Sequence, residues 1–208
     1  MKRGIIVSIQ GYHQKTITEL AMDAVSAGAV AIRTDKPITV RTGVQFDDHD
    51  ERVPIIGLYK IHVRAPSREP YITATLEAVQ AVSKWADYVA VDYRQCNTER
   101  ETISAWCKAA GIHLIADIET TDDWESIQGL HYDFVATTFS VFHKNHRPDI
   151  QLVKDLVAAG EKHIIAEGNY TTRCDVQEVL KAGAHAVCIG GAISNVYKLA
   201  RKFTTIEF

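Results

Sequence analysis

Long apolar runs are missing from this chain of 208 residues. The longest, such as Val53–Tyr59, fall far short of the roughly 20 residues that cross a bilayer as a helix, so no membrane span is expected. An excess of one charge is also missing: 23 Lys and Arg against 26 Asp and Glu leave a formal net charge of -3. No basic face stands out, which argues against a nucleic-acid partner. Cysteine is scarce: the four are Cys96, Cys107, Cys174 and Cys188. They show no metal-ligand spacing and need not pair in a chain of this size, so reduced thiols in a cytoplasmic protein are expected. The histidines are scattered without ligand spacing. His13, His62, His143 and His146 fall in loops and read best as loop surface, and no metal site is expected. No secretory leader is expected either. Met1–Ser8 is basic and then apolar, but the apolar stretch stops at Gln10 with no small-residue cleavage site after it, and it reads as a first strand. No linker or low-complexity segment divides the chain, and residues 1–208 read as one domain.

What is present is alternation. Hydrophobic residues make up 46% of the chain, enough for a continuous core. Eight short apolar, β-branched runs recur: Gly4–Gln10, Val30–Thr34, Val53–Lys60, Tyr88–Asp92, His113–Asp117, Phe134–Thr138, His163–Glu167 and Ala186–Gly190. Most are nearly all apolar, as parallel strands covered on both faces should be. Between them, residues 15–28, 72–86, 99–110, 122–130, 149–160 and 173–183, with 191–203 after the last run, space their apolar residues as helices do. Several of these end at glycine (Gly28, Gly111, Gly160, Gly183), which stops a helix in the left-handed conformation. Asp122, Asp123 and Asp149 stand where helix starts need caps or anions. The polar stretch 35–52, with Asp47-Asp48-His49-Asp50-Glu51, is the weakest unit and reads as a loop holding one short helix. Eight strand–helix units predict a closed α/β (β/α)8 barrel, the TIM-barrel architecture, rather than an open sheet.

In such barrels the chemistry lies at the C-terminal strand ends. The residues ending the runs are Gln10, Arg33, Lys60, Asp92, Asp117, Thr137-Thr138, Glu167 and Gly190-Gly191. Each alone says little, since every strand must end, but together they ring one pocket. A lysine desolvated at the barrel mouth sheds its proton more readily and becomes a base; the plain alternative for Lys60 is a surface lysine after a strand. Glu167 is expected to hold a substrate hydroxyl or Lys60, against the alternative of a rim ion pair. Arg33 and Asp117 suit hydroxyl or carbonyl recognition, or a salt-bridged ring inside the barrel top; Gln10 is equally open. Gly168, Asn169, Gly190 and Gly191 end the seventh and eighth runs, where backbone amides and a short helix near Ala192 bind phosphate. Tyr170 and Phe142 either shape the pocket or cover its rim.

At these residues the chain resembles the N-acetylmannosamine-6-phosphate 2-epimerase family nearly end to end. The resemblance is carried by Gly4–Gln10, Ala27–Arg33, Val53–Lys60, Tyr71–Thr75, Val89–Asp92, Ile115–Asp117, Ala136–Thr138, Ile165–Gly168 and Ala186–Ile193. The Ile-Ile-Gly-x-x-Lys and Ala-Glu-Gly pieces, in that order, are its most specific parts. The resemblance implies a phosphate-binding (β/α)8 barrel in amino-sugar (sialic acid) catabolism. The implied reaction interconverts N-acetylmannosamine 6-phosphate and N-acetylglucosamine 6-phosphate without cofactor or metal. It also implies Lys60 as the acid/base, Glu167 as a second catalytic or orienting group, and Gln10, Arg33, Asp92, Asp117 and Thr138 around the sugar. By analogy with barrels of this kind a homodimer is expected. The chain departs from the family pattern after Lys60 (Ile61-His62 for Arg-Asp), after Asp92 (Tyr93-Arg94-Gln95) and after Thr138 (Phe139-Ser140-Val141-Phe142 for Met-Ser-Gly-Tyr). It departs again after Ile193, where Ser194-Asn195 stand. Those loops contact the sugar, so a related sugar phosphate stays open as substrate. So do another phosphate-barrel isomerase or lyase and a non-catalytic sugar-phosphate sensor.

Overall fold

The structure is a computed structural model that describes residues 1–39, 52–61, 70–142 and 147–204. Eight parallel strands pair in sequence order and close into a barrel. They are β1 (Gly4–Ile9), β2 (Ala31–Thr34), β3 (Ile55–Gly57), β4 (Tyr88–Asp92), β5 (His113–Asp117), β6 (Phe134–Ala136), β7 (Ile164–Glu167) and β8 (Ala186–Ile189). The closing pair sets Ile6 of β1 against Cys188 of β8. Helices α1 (Gln14–Ser26), α2 (Leu76–Val82), α3 (Arg100–Ala110), α4 (Thr121–Ser126), α5 (Ile150–Ala158) and α6 (Arg173–Lys181) lie between strands, and α7 (Val196–Thr204) follows β8. Each expected run holds one strand, and the (β/α)8 barrel is the fold. Among the described residues no helix is long and apolar enough to cross a membrane.

Period two sorts each strand into two faces. Ile6, Ala31, Ile56, Ala90, Ile115, Ala136, Ile165 and Cys188, one from each strand, form a buried layer inside the barrel. Their neighbours Val7, Ile32, Val91, Leu114, Val135, Ile164 and Val187 point the other way and pack with helix residues such as Ile17, Val79, Ile103 and Val153. Both faces are covered, which is why the runs look continuously apolar. At the floor, Phe134 joins this inner layer with Tyr88, His163 and His185 around it, ring centroids 5.2–5.9 Å from its own.

Local chemistry sets the helix ends. Gly28, Gly111, Gly160 and Gly183 all take positive φ, as expected. Asp149 caps α5 by accepting a hydrogen bond from the Leu152 amide. At α4 Asp122 and Asp123 stand in the first turn, as expected, and Thr120 is the cap; Asp123 closes a reciprocal capping box with it, because a hydroxyl at the cap reaches the third amide while the carboxylate reaches back.

Several boundaries differ from the sequence reading. The run Val53–Lys60 yields only the three-residue β3: the Leu58 amide still donates to the Thr34 carbonyl, but Tyr59 and Lys60 leave the sheet, and Lys60 instead makes an isolated antiparallel bridge with Ile72. The helix expected over 72–86 therefore starts only at Leu76, capped by the Thr75 hydroxyl. The helix expected over 191–203 starts only at Val196, because the Gly190 carbonyl first closes a tight turn with the Ile193 and Ser194 amides, both at 2.9 Å. The helix expected over 122–130 ends at Ser126, where turn bonds from Ile127 and Gln128 replace helical ones. The helix expected within 35–52, and Asp47–Glu51 with it, lies largely outside the described residues.

Candidate active site

Two residues beyond each member of the apolar inner layer stand Ser8, Arg33, Leu58, Asp92, Asp117, Thr138, Glu167 and Gly190. The period that buries the inner layer thus sets a mostly polar layer directly above it. Gln10 and Lys60, expected in this layer, lie two residues further out. Ser8 and Leu58 hold their places, since the chain runs on past the last sheet pairing in both strands.

Arg33 is the centre of the polar layer. It comes from β2, is 2% exposed, and reaches across the barrel to the carboxylates of Asp117 on β5 and Glu167 on β7. Asp117 receives both terminal guanidinium nitrogens, and Glu167 Oε2 lies 3.1 Å from the first of them. Thr138 donates to the same Glu167 oxygen at 3.4 Å. Burial by itself favours a neutral guanidine, but Asp117 and Glu167 outweigh it and hold Arg33 charged. Burial pushes the Asp117 carboxyl up, to about 7, because Arg33 is shared with Glu167 and compensates only partly. Both groups thus hold their protons more tightly for one reason: two carboxylates face one cation. A single proton taken up by the pair leaves the cluster neutral.

Next to this cluster, the turns after β7 and β8 enclose a cavity of about 220 Å3. Thr138, Glu167, Gly168, Asn169, Gly190 and Gly191, six of the expected site residues, line it together. The shape of its wall is fixed by the chain after Glu167. Gly168 and Asn169 both have positive φ, at 113° and 54°. Asparagine is among the few side chains that tolerate the left-handed region. A Cβ on Gly168 would sit 2.3 Å from a Val141 methyl, so that residue has neither the backbone nor the space for a side chain. On the opposite wall the Ser194 hydroxyl ties the Gly190 turn to β1, donating to the Ser8 carbonyl at 2.6 Å and to Gly190 at 3.1 Å. Gln10 lies nearby, half-buried, donating to the Ser8 hydroxyl at 2.9 Å.

Lys60 is partly exposed, and its Nζ stands 5.6 Å from the centroid of the Tyr71 ring. Among the described residues no ion pair joins it to Glu167. Asp92 is fully buried and its oxygens are engaged within the protein, by the Tyr71 amide and by the amide and guanidinium of Arg94. Arg94 in turn pairs with Glu119 and lies 4.2 Å above the Phe139 ring. A second, larger cavity of about 440 Å3 lies outside the polar layer, against Arg94, Glu119 and Asp123. Asp123 there is committed to the backbone of Gln95, Glu119 and Thr120. His13 is exposed ahead of α1; His62, His143 and His146 lie outside the described residues. Tyr170 packs in the cluster between barrel and helices and lines the smaller cavity, whereas the Phe142 side chain is not described.

Sequence reasoning missed Cys188, which lines the same cavity and stands opposite Glu167 in the register of β7 and β8. Burial first, and then the Glu167 charge, hold its thiol well above the usual range, so it stays a donor. Counting two back from Gly190 would have found it. It missed Tyr71 too, whose place beside Lys60 depends on the unexpected antiparallel bridge.

The family model described as "Putative N-acetylmannosamine-6-phosphate epimerase" matches residues 17–207. A curated relative from Escherichia coli O127:H6, named "Putative N-acetylmannosamine-6-phosphate 2-epimerase", is 31% identical over 98% of this chain and 91% of its own length. A protein of the same name from Shigella flexneri is 32% identical, covering 97% of this chain and 90% of its own. The solved N-acetylmannosamine-6-phosphate 2-epimerase from Clostridium perfringens superimposes with a TM-score of 0.81 over 98% of this chain and 93% of that one, at 24% identity. The thiamine phosphate pyrophosphorylase from Pyrococcus furiosus shares the fold more distantly, with a TM-score of 0.58 at 11% identity. With its barrel, its Arg33–Asp117–Glu167 cluster and a family match over nearly its whole length, the chain belongs to the N-acetylmannosamine-6-phosphate epimerase family.

Proposed function

We propose that this chain inverts C2 of a 2-acetamido sugar 6-phosphate, interconverting N-acetylmannosamine 6-phosphate and N-acetylglucosamine 6-phosphate. One observation carries the reading: the Arg33–Asp117–Glu167 cluster borders a cavity walled by the turns after β7 and β8. In barrels of this type those turns are where phosphate binds. The phosphate sits at Gly168, Asn169, Gly190 and Gly191, where the backbone approaches closely and no side chain intrudes. The sugar then extends toward Glu167, Arg33, Asp117 and Gln10, with Thr138 beside Glu167. Asp92 supports this end of the barrel through Arg94 and the Tyr71 amide.

In the open-chain aldose the C2 hydrogen is next to the aldehyde carbon. Lys60 removes that proton as a neutral amine, and the electron pair passes into an enolate-like intermediate. Charge gathers on O1, where the Arg33 side of the cluster meets it. Return of a proton to the opposite face gives the epimer. Whether Lys60 serves both faces or shares them with Glu167, no outside oxidant or reductant is consumed. A related sugar phosphate is the second reading. It is favoured by Arg94 and Phe139, two departures from the family pattern, which stack on each other.

The test is exchange. Incubated with N-acetylmannosamine 6-phosphate in D2O, the protein is expected to place deuterium at C2 and to form the gluco epimer, followed by NMR. Lys60→Ala is expected to lose exchange by at least about a hundredfold, within the range of a single general base. Retained exchange removes Lys60 from the mechanism. We also read residues 1–208 as one domain, the protein as cytoplasmic and the assembly as a homodimer. The first two fit the closed barrel and four free thiols, and the third fits the exposed Ile193, Val196 and Tyr197 around α7.

A further inference from the structure

A lysine stem is long and flexible, and an amine that must reach one hydrogen needs something to hold it. Among the described residues the Lys60 ammonium has no carboxylate or hydrogen-bond partner; what faces it is the Tyr71 ring, 5.6 Å from Nζ to the ring centroid. That ring is itself fixed from several sides. Its backbone is locked to the segment of Lys60: the Ile61 amide donates to the Tyr71 carbonyl at 3.1 Å, and the Thr73 amide to the Tyr59 carbonyl at 2.8 Å. The Tyr59 amide donates to the Thr73 hydroxyl at 2.8 Å. This short antiparallel pairing is moored to the end of β4, because the Tyr71 amide donates to Asp92 at 3.0 Å and the Asp92 amide to the Thr73 carbonyl at 3.0 Å. The ring stands edge-on to Phe139, centroids 6.3 Å apart at 83°, and Arg94 covers Phe139 in turn.

We infer that Tyr71 is the positioning residue for Lys60: its ring face holds the amine over the barrel mouth. The inference rests on reading Lys60 as the base. The physical reason for a ring is that it attracts the ammonium through its quadrupole yet offers no acceptor to take the amine's hydrogens. A carboxylate in its place would pin the amine as an ion pair. The ring holds the stem in place and leaves nitrogen open to the substrate.

Two measurements test this on the full chain. In the first, lysines are reductively methylated with 13C, and the Lys60 signal is assigned by its loss in Lys60→Arg. The wild type is expected to show Lys60 N-methyl protons shifted upfield by the ring, and Tyr71→Leu to move them back to the position of exposed lysines. In the second, unmethylated Tyr71→Leu is expected to lower kcat by about tenfold to a hundredfold, the scale of misplacing a reacting group, with KM within about twofold. Tyr71→Phe keeps the face and is expected to recover at least about half of the wild-type kcat. An unshifted Lys60 signal in the wild type, or Phe as damaging as Leu, overturns the inference. Lys60→Ala separates the two claims: full exchange in that variant sinks the reading of Lys60 as base, while the ring-induced shift still decides the contact.

Discussion

At the scale of the residue, the charged groups at the barrel top behave as one unit. Arg33 is almost wholly buried and neutralises only one of the two carboxylates it touches. Asp117 has its carboxyl raised to about 7 by burial, well above its unfolded value. Its sign in folding follows: between about pH 4 and pH 7 the native state binds a proton that the unfolded state has released, so stability falls as pH rises through that window. Equilibrium urea unfolding at a series of pH values is expected to show this decline, and Asp117→Asn to flatten it. An Asn variant with an unchanged slope would mean that the proton resides elsewhere. The residues that resisted sequence reading are of this kind. Asp92 looks like a substrate ligand when read as a strand end, yet its oxygens are engaged by Arg94 and the Tyr71 amide. Only the fold of the loop behind it brings that arginine round.

At the scale of the element, the wall of the cavity depends on one tight contact between the turn after β7 and the 3-10 turn Ser140–Phe142. Gly168 sits there with φ at 113°, and any Cβ would meet Val141 at 2.3 Å. Gly168→Ala is expected to cost about 1–3 kcal/mol, from backbone strain and the overlap together. Adding Val141→Gly should return the part due to overlap. A thermal melt reads both, and full tolerance of alanine would show that the turn relaxes freely. Most strand and helix positions were legible from local pattern: apolar runs gave all eight strands, and glycines marked four helix ends at positive φ. The segment after β3 was not. Its apolar run continues past Gly57, and nothing local says that Tyr59–Ile61 leaves the barrel to pair with Tyr71–Thr73.

At the scale of the whole molecule, the barrel is held by an inner layer to which every strand contributes one residue. Ile115 is fully buried at its centre, and Ile115→Ala is expected to cost about 2–5 kcal/mol in a denaturant titration, without loss of the barrel's circular-dichroism signature. A smaller cost would indicate that the interior collapses around the missing methyls. The sequence by itself determined the fold class, because period two, period 3.6 and glycine stops are local properties that any eight such units must satisfy together. It also named most of the residues that meet at the cavity, since the step of two residues carries most strands from apolar to polar at the same height. Only the tertiary structure decided which of them bond to one another. Arg94 folds back on Asp92 two residues away and Tyr71 faces Lys60 across a short antiparallel bridge, whereas the span from Arg33 to Asp117 and Glu167 joins segments far apart in the chain. Closure of the barrel, not any local pattern, brings those segments within reach.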